Sequence, residues 1–148
     1  SELVEGTDLG TLVEDMGQPG LDPTIVGDVG MQVARILNTL HEREEPVFHG
    51  GLSPGNVLVT RAGEVVLTDV GIAAALRPVT QNAVDKWLFV APELFDGKKE
   101  PDLASDLYAL GAVLHFLLTG KPPHEADSLE ELAAKANKGL AGLPPETP

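Results

Sequence analysis

The segment Phe48–Thr60 reads FHGGLSPGNVLVT. It has the order of a catalytic loop: a histidine, a bend, a proline, an asparagine and then a strand. His49 and Asn56 are its chemically capable side chains, and a carboxylate, Asp69, closes the next apolar run. A reaction that moves a proton needs an acid or base held where it can reach the reacting group. At the bend, Gly50 and Gly51 offer no side chain for that purpose. The remaining histidines, His41, His115 and His124, share no ligand spacing with one another or with carboxylates, so no metal site is expected from them. There is no cysteine, which removes thiol nucleophiles, disulfides and Cys-ligated zinc together.

The elements that must hold this loop are legible on both sides of it. GQPGLDP (Gly17–Pro23) is a turn-rich connector. A long helix starts at Pro23 or Thr24, with Val26, Val29, Val33, Ile36, Leu37 and Leu40 at helical spacing. Gly27 and Gly30 each weaken it by about 1 kcal/mol relative to alanine, so both are expected to mark close packing. The helix fades near HEREEP, where Pro46 stops it. NVLVT and EVVLT then form a hairpin around RAG, with Gly63 in the turn, and DVG (Asp69–Gly71) ends the second strand. Residues 72–90 show no clear period. A second strong helix is predicted over Ser105–Leu118, with Leu107, Leu110, Val113, Leu114, Leu117 and Leu118 as its apolar face. Gly120 terminates it and Pro122–Pro123 prevent continuation. A last helix is predicted over Ser128–Lys138, opened by a capping box of Ser128 and Glu131. The tail at 139–148 reads as loosely ordered. Two buried helices flanking a polar loop are the expected core.

Bulk properties bound the rest. The chain has 148 residues, 43% hydrophobic, enough for one domain with a core. No apolar run approaches the ~18 residues a membrane span requires. The opening SELVEGTDLG has neither a basic nor an apolar leader region, so no signal peptide is expected in it. The lack of cysteine fits a reducing, cytoplasmic setting. A net charge of −13 disfavours nucleic acid and anionic membrane surfaces as partners and favours solubility.

Taken in order, the motifs resemble the C-terminal lobe of a protein kinase, bacterial Ser/Thr kinases in particular. ELVEGTDL (Glu2–Leu9) looks like the hinge and the start of the lobe's first helix; HGGLSPGN (His49–Asn56) stands where kinases carry H-R-D-L-x-x-x-N; DVG stands at the D-F-G position. APE (Ala91–Glu93) matches outright, and DLYALG (Asp106–Gly111) resembles the start of the lobe's central helix. The resemblance implies a mainly α fold: a helical bundle like the kinase C-terminal lobe, with a small β-hairpin and no N-terminal lobe within these residues. It implies one domain over residues 1–148, with the hinge at 1–8, the catalytic-loop-like segment at 48–60, DVG at 69–71 and APE at 91–93.

The resemblance also assigns roles. In kinases the loop Asn and the D-F-G Asp supply oxygens to Mg²⁺ on the ATP phosphates, and Asn56 and Asp69 fill those positions. The bland alternatives are that Asn56 hydrogen-bonds loop backbone and that Asp69 caps a tight turn. Glu2 and Val4 would offer backbone to the adenine, Leu58 would lie beneath it and Asp8 would face the ribose. His49 is expected to pack inward, and Asp106 to accept backbone N–H groups from the HGG loop. Trp87 and Phe89 either fill the core or form an exposed contact patch. Several family groups are lost. Gly51 stands in for the catalytic Asp, Gly50 for the preceding Arg and Ser53 for the Lys two residues beyond it. Lys86 replaces the substrate-loop Thr, and without the Arg a phosphate at Thr80 would lack its usual partner. The Gly-rich loop, the strand Lys and its partner Glu are not in this sequence, and neither is the Arg that pairs with the A-P-E Glu, so Glu93 is expected to be solvated or differently paired.

No catalytic residue is therefore expected, and no cofactor for this chain alone. The first reading is a catalytically inactive, kinase-like (pseudokinase) module that binds a protein partner, or a second copy of itself, through the face an N-terminal lobe would cover. Nucleic acid and membrane contacts are not expected. The alternatives are a fragment of a kinase-like phosphotransferase and a nucleotide sensor without turnover, both using Asn56 and Asp69 for Mg-ATP.

Overall fold

The computed structural model describes residues 6–16, 20–71, 87–95 and 98–136. The apolar spacing read in the sequence produces two long helices that pack on each other. The first, α2 (Pro23–His41), begins as its end signals dictate: Asp22 accepts a hydrogen bond from Thr24 N at 2.8 Å, and Pro23 occupies the first turn. It buries Val26, Val29, Val33 and Leu37. The second, α3 (Leu103–Thr119), starts two residues before the sequence suggested. Asp102 and Ser105 form a reciprocal cap there, with Ser105 N on Asp102 Oδ1 and Asp102 N on Ser105 Oγ, both at 2.9 Å. Gly120 ends the helix, its N–H on Phe116 O at 2.7 Å.

Two details of these helices differ from the pattern-based expectation. Leu107 is not part of the buried face but 50% exposed; Ala109 and Ala112 are buried in its stead, beside Leu110, Val113 and Leu117. Of the two helix glycines, only Gly30 marks a close approach: a Cβ there would lie 2.9 Å from Leu114 Cδ2 on α3. Gly27 faces solvent with nothing within 4 Å.

A short strand, β1 (Gly6–Asp8), runs into α1 (Leu9–Met16), and the hairpin strands are β2 (Val57–Thr60) and β3 (Val65–Leu67). The hairpin expected from sequence is thus two-thirds of an antiparallel sheet ordered β1-β2-β3. Gly-Thr-Asp has no strand signal of its own; it is extended because it pairs with β2, Thr7 opposite Val59 and Asp8 opposite Leu58. Alternation sorts the sheet into two faces. Val57, Val59, Val65 and Leu67 pack into the core with α2 and α3. Leu58, Val66 and Asp8, opposite one another across the three strands, lie on the other face, half-buried. The last helix, α4 (Leu129–Ala136), has Glu131 N on Ser128 Oγ at 3.1 Å, while the Glu131 carboxylate accepts from Asp127 N at 3.1 Å, one residue earlier than a standard capping box. Residues 137–138 and the tail lie outside the described residues. No helix is long and apolar enough to cross a membrane among those described.

Candidate functional site

Asp106, in the first turn of α3, is the centre around which the loop is built. The residue is 1% exposed, a position a carboxylate tolerates only when its oxygens are well supplied with donors. Oδ2 accepts from His49 N at 2.8 Å and Oδ1 from Gly50 N at 3.0 Å, the anchoring expected from the sequence. A third donor was not legible there: His41 Nε2, from the last turn of α2, reaches Oδ2 at 2.8 Å. The His41 ring also packs on Phe48, with centroids 5.1 Å apart. One carboxylate therefore ties α2, α3 and the loop together.

His49 packs inward as expected, with 0% exposure. Its two ring nitrogens face opposite kinds of partner. Nε2 lies 2.9 Å from the Thr68 carbonyl and must donate; Nδ1 accepts from Gly51 N at 3.3 Å. That arrangement admits only the neutral ring. Burial pushes its pKa below the usual imidazole value, against the opposing pull of the Thr68 carbonyl and of the charges on Asp106 and Asp69. The sign follows from linkage. Between about 6.5 and the lower folded value, the unfolded ring binds a proton that the folded ring refuses. The contribution of His49 to stability is therefore full above about 6.5 and is lost as pH falls through that window. We expect the His49 ring resonance to titrate with a midpoint below 6.5 in NMR, and an NMR midpoint at or above that value would contradict the assignment.

Gly50 and Gly51 turn the chain at this point, Gly50 with φ +78°. Beyond the bend, the 3-10 turn Pro54–Asn56 leads into β2. Asn56 is 8% exposed, and its amide is engaged at both ends: Oδ1 accepts from Ser53 N at 2.9 Å and Nδ2 donates to Gly51 O at 2.8 Å. It holds the loop backbone, and Oδ1 retains one lone pair. Across the hairpin, Thr68 N donates to Asn56 O at 2.9 Å, which sets Asn56 beside the start of DVG. Asp69 follows with φ +59°, a left-handed conformation that Asp adopts more readily than most residues, and its side chain is exposed. Gly71 N returns to His49 O at 3.1 Å, closing the two loops on each other. The fold thus brings Asn56 and Asp69 to one end of the hairpin, with His49 behind them.

The remaining candidates divide. Leu58 and Asp8 are cross-strand neighbours on the outer sheet face. Asp8 also opens α1, with Oδ1 on Thr11 N at 3.0 Å and Oδ2 on the Thr11 hydroxyl at 2.8 Å; the backbone N–H of Thr11 is the main reason its pKa lies below the usual carboxylate range. Glu2, Val4, Thr80 and Lys86 lie outside the described residues. Trp87 and Phe89 fill space: Trp87 meets Phe95 edge-on at 5.6 Å, and Phe89 meets Phe116 at 5.9 Å. Glu93 is exposed, near Tyr108, whose pKa is raised chiefly by burial and further by that carboxylate.

Comparison with known proteins bears on this arrangement. The pattern of the protein kinase domain matches residues 1–143. Serine/threonine-protein kinase PknH of Mycobacterium bovis is 40% identical over 136 residues, covering 89% of this chain and 22% of that kinase. Serine/threonine-protein kinase PknD of Mycobacterium tuberculosis is 37% identical over 136 residues, 89% of this chain and 20% of its own length. Serine/threonine-protein kinases PknA of Corynebacterium glutamicum is 36% identical over 152 residues, 99% of this chain and 30% of the relative. The chain spans less than a third of the length of these relatives. With that match running through the buried Asp106, the HGG loop it anchors and the hairpin that follows, this chain belongs to the protein kinase domain family.

Proposed function

We propose that this region is a non-catalytic member of that family, a pseudokinase module whose work is to bind another protein. The observation that carries the reading is the bend itself. Gly51 stands where the family places its proton acceptor, yet the loop around it is fully built, with Asp106, His49 and Asn56 all satisfied. A scaffold maintained around a missing base supports a role for the shape rather than for phosphoryl transfer. The outer sheet face, with Leu58 and Val66 half-buried, supplies apolar area suited to a protein partner.

The second reading is a kinase-like phosphotransferase or a nucleotide sensor. The exposed Asp69, one residue beyond the Thr68 that bonds Asn56 across the hairpin, favours it, since both stand at one end of the hairpin, where Mg²⁺ and phosphates would be met. Phosphoryl transfer rests mainly on positioning and electrostatics, so a lost base does not by itself abolish it. Thermal unfolding with ATP, with and without Mg²⁺, separates the two. Under the first reading the midpoint stays put. A ligand at 100-fold its Kd would add about 2.7 kcal/mol. A Mg²⁺-dependent rise that disappears in Asp69→Ala, with transfer of labelled γ-phosphate to a polypeptide, would overturn the non-catalytic reading. Light scattering tests the binding role, which a strictly monomeric, non-adhesive chain would contradict.

A further inference from the structure

One polar side chain of α2 reaches out of its helix to the hairpin. Gln32 Oε1 accepts from Val65 N at 2.9 Å, and its Nε2 donates to Gly63 O at 3.0 Å. Nε2 also lies 3.0 Å from Asp28 Oδ2, one turn back on the helix, so a donor is required at that end and the amide orientation is fixed. The two backbone groups it meets are edge groups. Thr60 N pairs with Glu64 O at 2.9 Å and Thr68 N with Asn56 O at 2.9 Å, so the even positions of β3 and its turn face β2. In an antiparallel ladder the alternate positions then face away, so the Val65 N–H points out of the sheet; Gly63, in the turn with its own N–H on Thr60 O at 2.9 Å, presents its carbonyl to Gln32 on the same side. Among the described residues, β3 is the last strand on this side of the sheet.

An acceptor on the N–H of Val65 and a donor on the C=O of Gly63 is the pattern by which a neighbouring strand would bridge to Glu64. We propose that the Gln32 amide stands in for that strand. It closes the β3 edge against pairing with an extended segment of another chain, and it sets the hairpin on α2. Unpaired edges invite strand addition, and a side-chain amide from a helix covers one without adding a strand. The proposal goes beyond the binding role above and does not depend on it.

Hydrogen exchange on the full chain tests it, with Gln32→Met and Gln32→Glu. Methionine keeps the length and the helix preference and removes both polar ends; glutamate keeps the oxygen facing Val65 N and loses the donor to Gly63 O. We expect Val65 N–H to exchange about tenfold faster or more in Gln32→Met, and faster than the parent in Gln32→Glu as well, because its second oxygen would face the Gly63 carbonyl and the Asp28 carboxylate with no donor between them. Val33 N–H in α2, unchanged in both, reports that the helix is intact. Light scattering should show a mass that rises with concentration in Gln32→Met beyond the parent. Unchanged Val65 exchange in Gln32→Met, or fast exchange without added association, overturns the proposal.

Discussion

Asp106→Ala is expected to remove about 3–5 kcal/mol of folding stability, a large fraction of the ~5–15 kcal/mol of an ordinary domain. The size comes from what the substitution leaves behind. Asp106 is 1% exposed, and its carboxylate serves His49 N, Gly50 N and His41 Nε2 at 2.8–3.0 Å. Alanine would strand these donors in a site that admits little water, and each buried unsatisfied group costs about 1–3 kcal/mol. Loss of the side-chain volume adds a smaller cavity term. The His41 ring can rotate to recover a partner; the two backbone N–H groups cannot. Asp106→Asn should fall between, because one amide oxygen still accepts while the NH₂ group faces a donor. Urea unfolding at pH 7.5 measures the loss. A change below about 1 kcal/mol would mean that the loop is held elsewhere, and the anchoring role would be withdrawn. Loop amides around Gly50 should lose exchange protection first, since the carboxylate is their acceptor.

Gly20→Ala should cost about 2–5 kcal/mol, although the residue is only half-buried. Gly20 has φ +90°, which a side chain rarely accepts. A Cβ there would also stand 1.9 Å from Leu118 O, a backbone atom near the end of α3 that cannot swing aside as a side chain would. The next residue is tied to the same place, with Leu21 N on Leu117 O at 2.6 Å. The connector and the end of α3 must therefore separate, and Leu21, 5% exposed, leaves the core with them. Differential scanning calorimetry of the variant beside the parent checks this. A melting temperature within a degree or two of the parent would show that the connector can move off α3 without consequence.

The sequence was most informative where the cause is local. Val26, Val29, Val33 and Leu37 repeat at the period of a helix, and α2 buries them. Gly63 with the β-branched runs beside it specifies a hairpin, and the hairpin is there. The motif order gave the expectation that Asp106 would bind the HGG loop, and it does. The candidate site was legible only as a set of residues. Asn56 and Asp69 could be named, but not that the Asn56 amide would be engaged at both ends within its own loop.

What the tertiary structure alone decided involves partners far apart in the chain. His41 finds Asp106 only because α2 and α3 cross at that level; nothing in the residues around either one encodes the meeting. Gly20 is constrained by Leu118 and Gln32 by Gly63 and Val65 for the same reason. β1 is a strand because β2 is beside it, and Leu107 stays half-exposed while Ala109 and Ala112 are buried, a choice the apolar period alone does not make. Apolar period, caps and turn residues act over a few positions, so they appear in the sequence. Crossing angle, register and the pairing of distant polar groups are settled only when the elements pack, because each depends on the shapes of two surfaces at once.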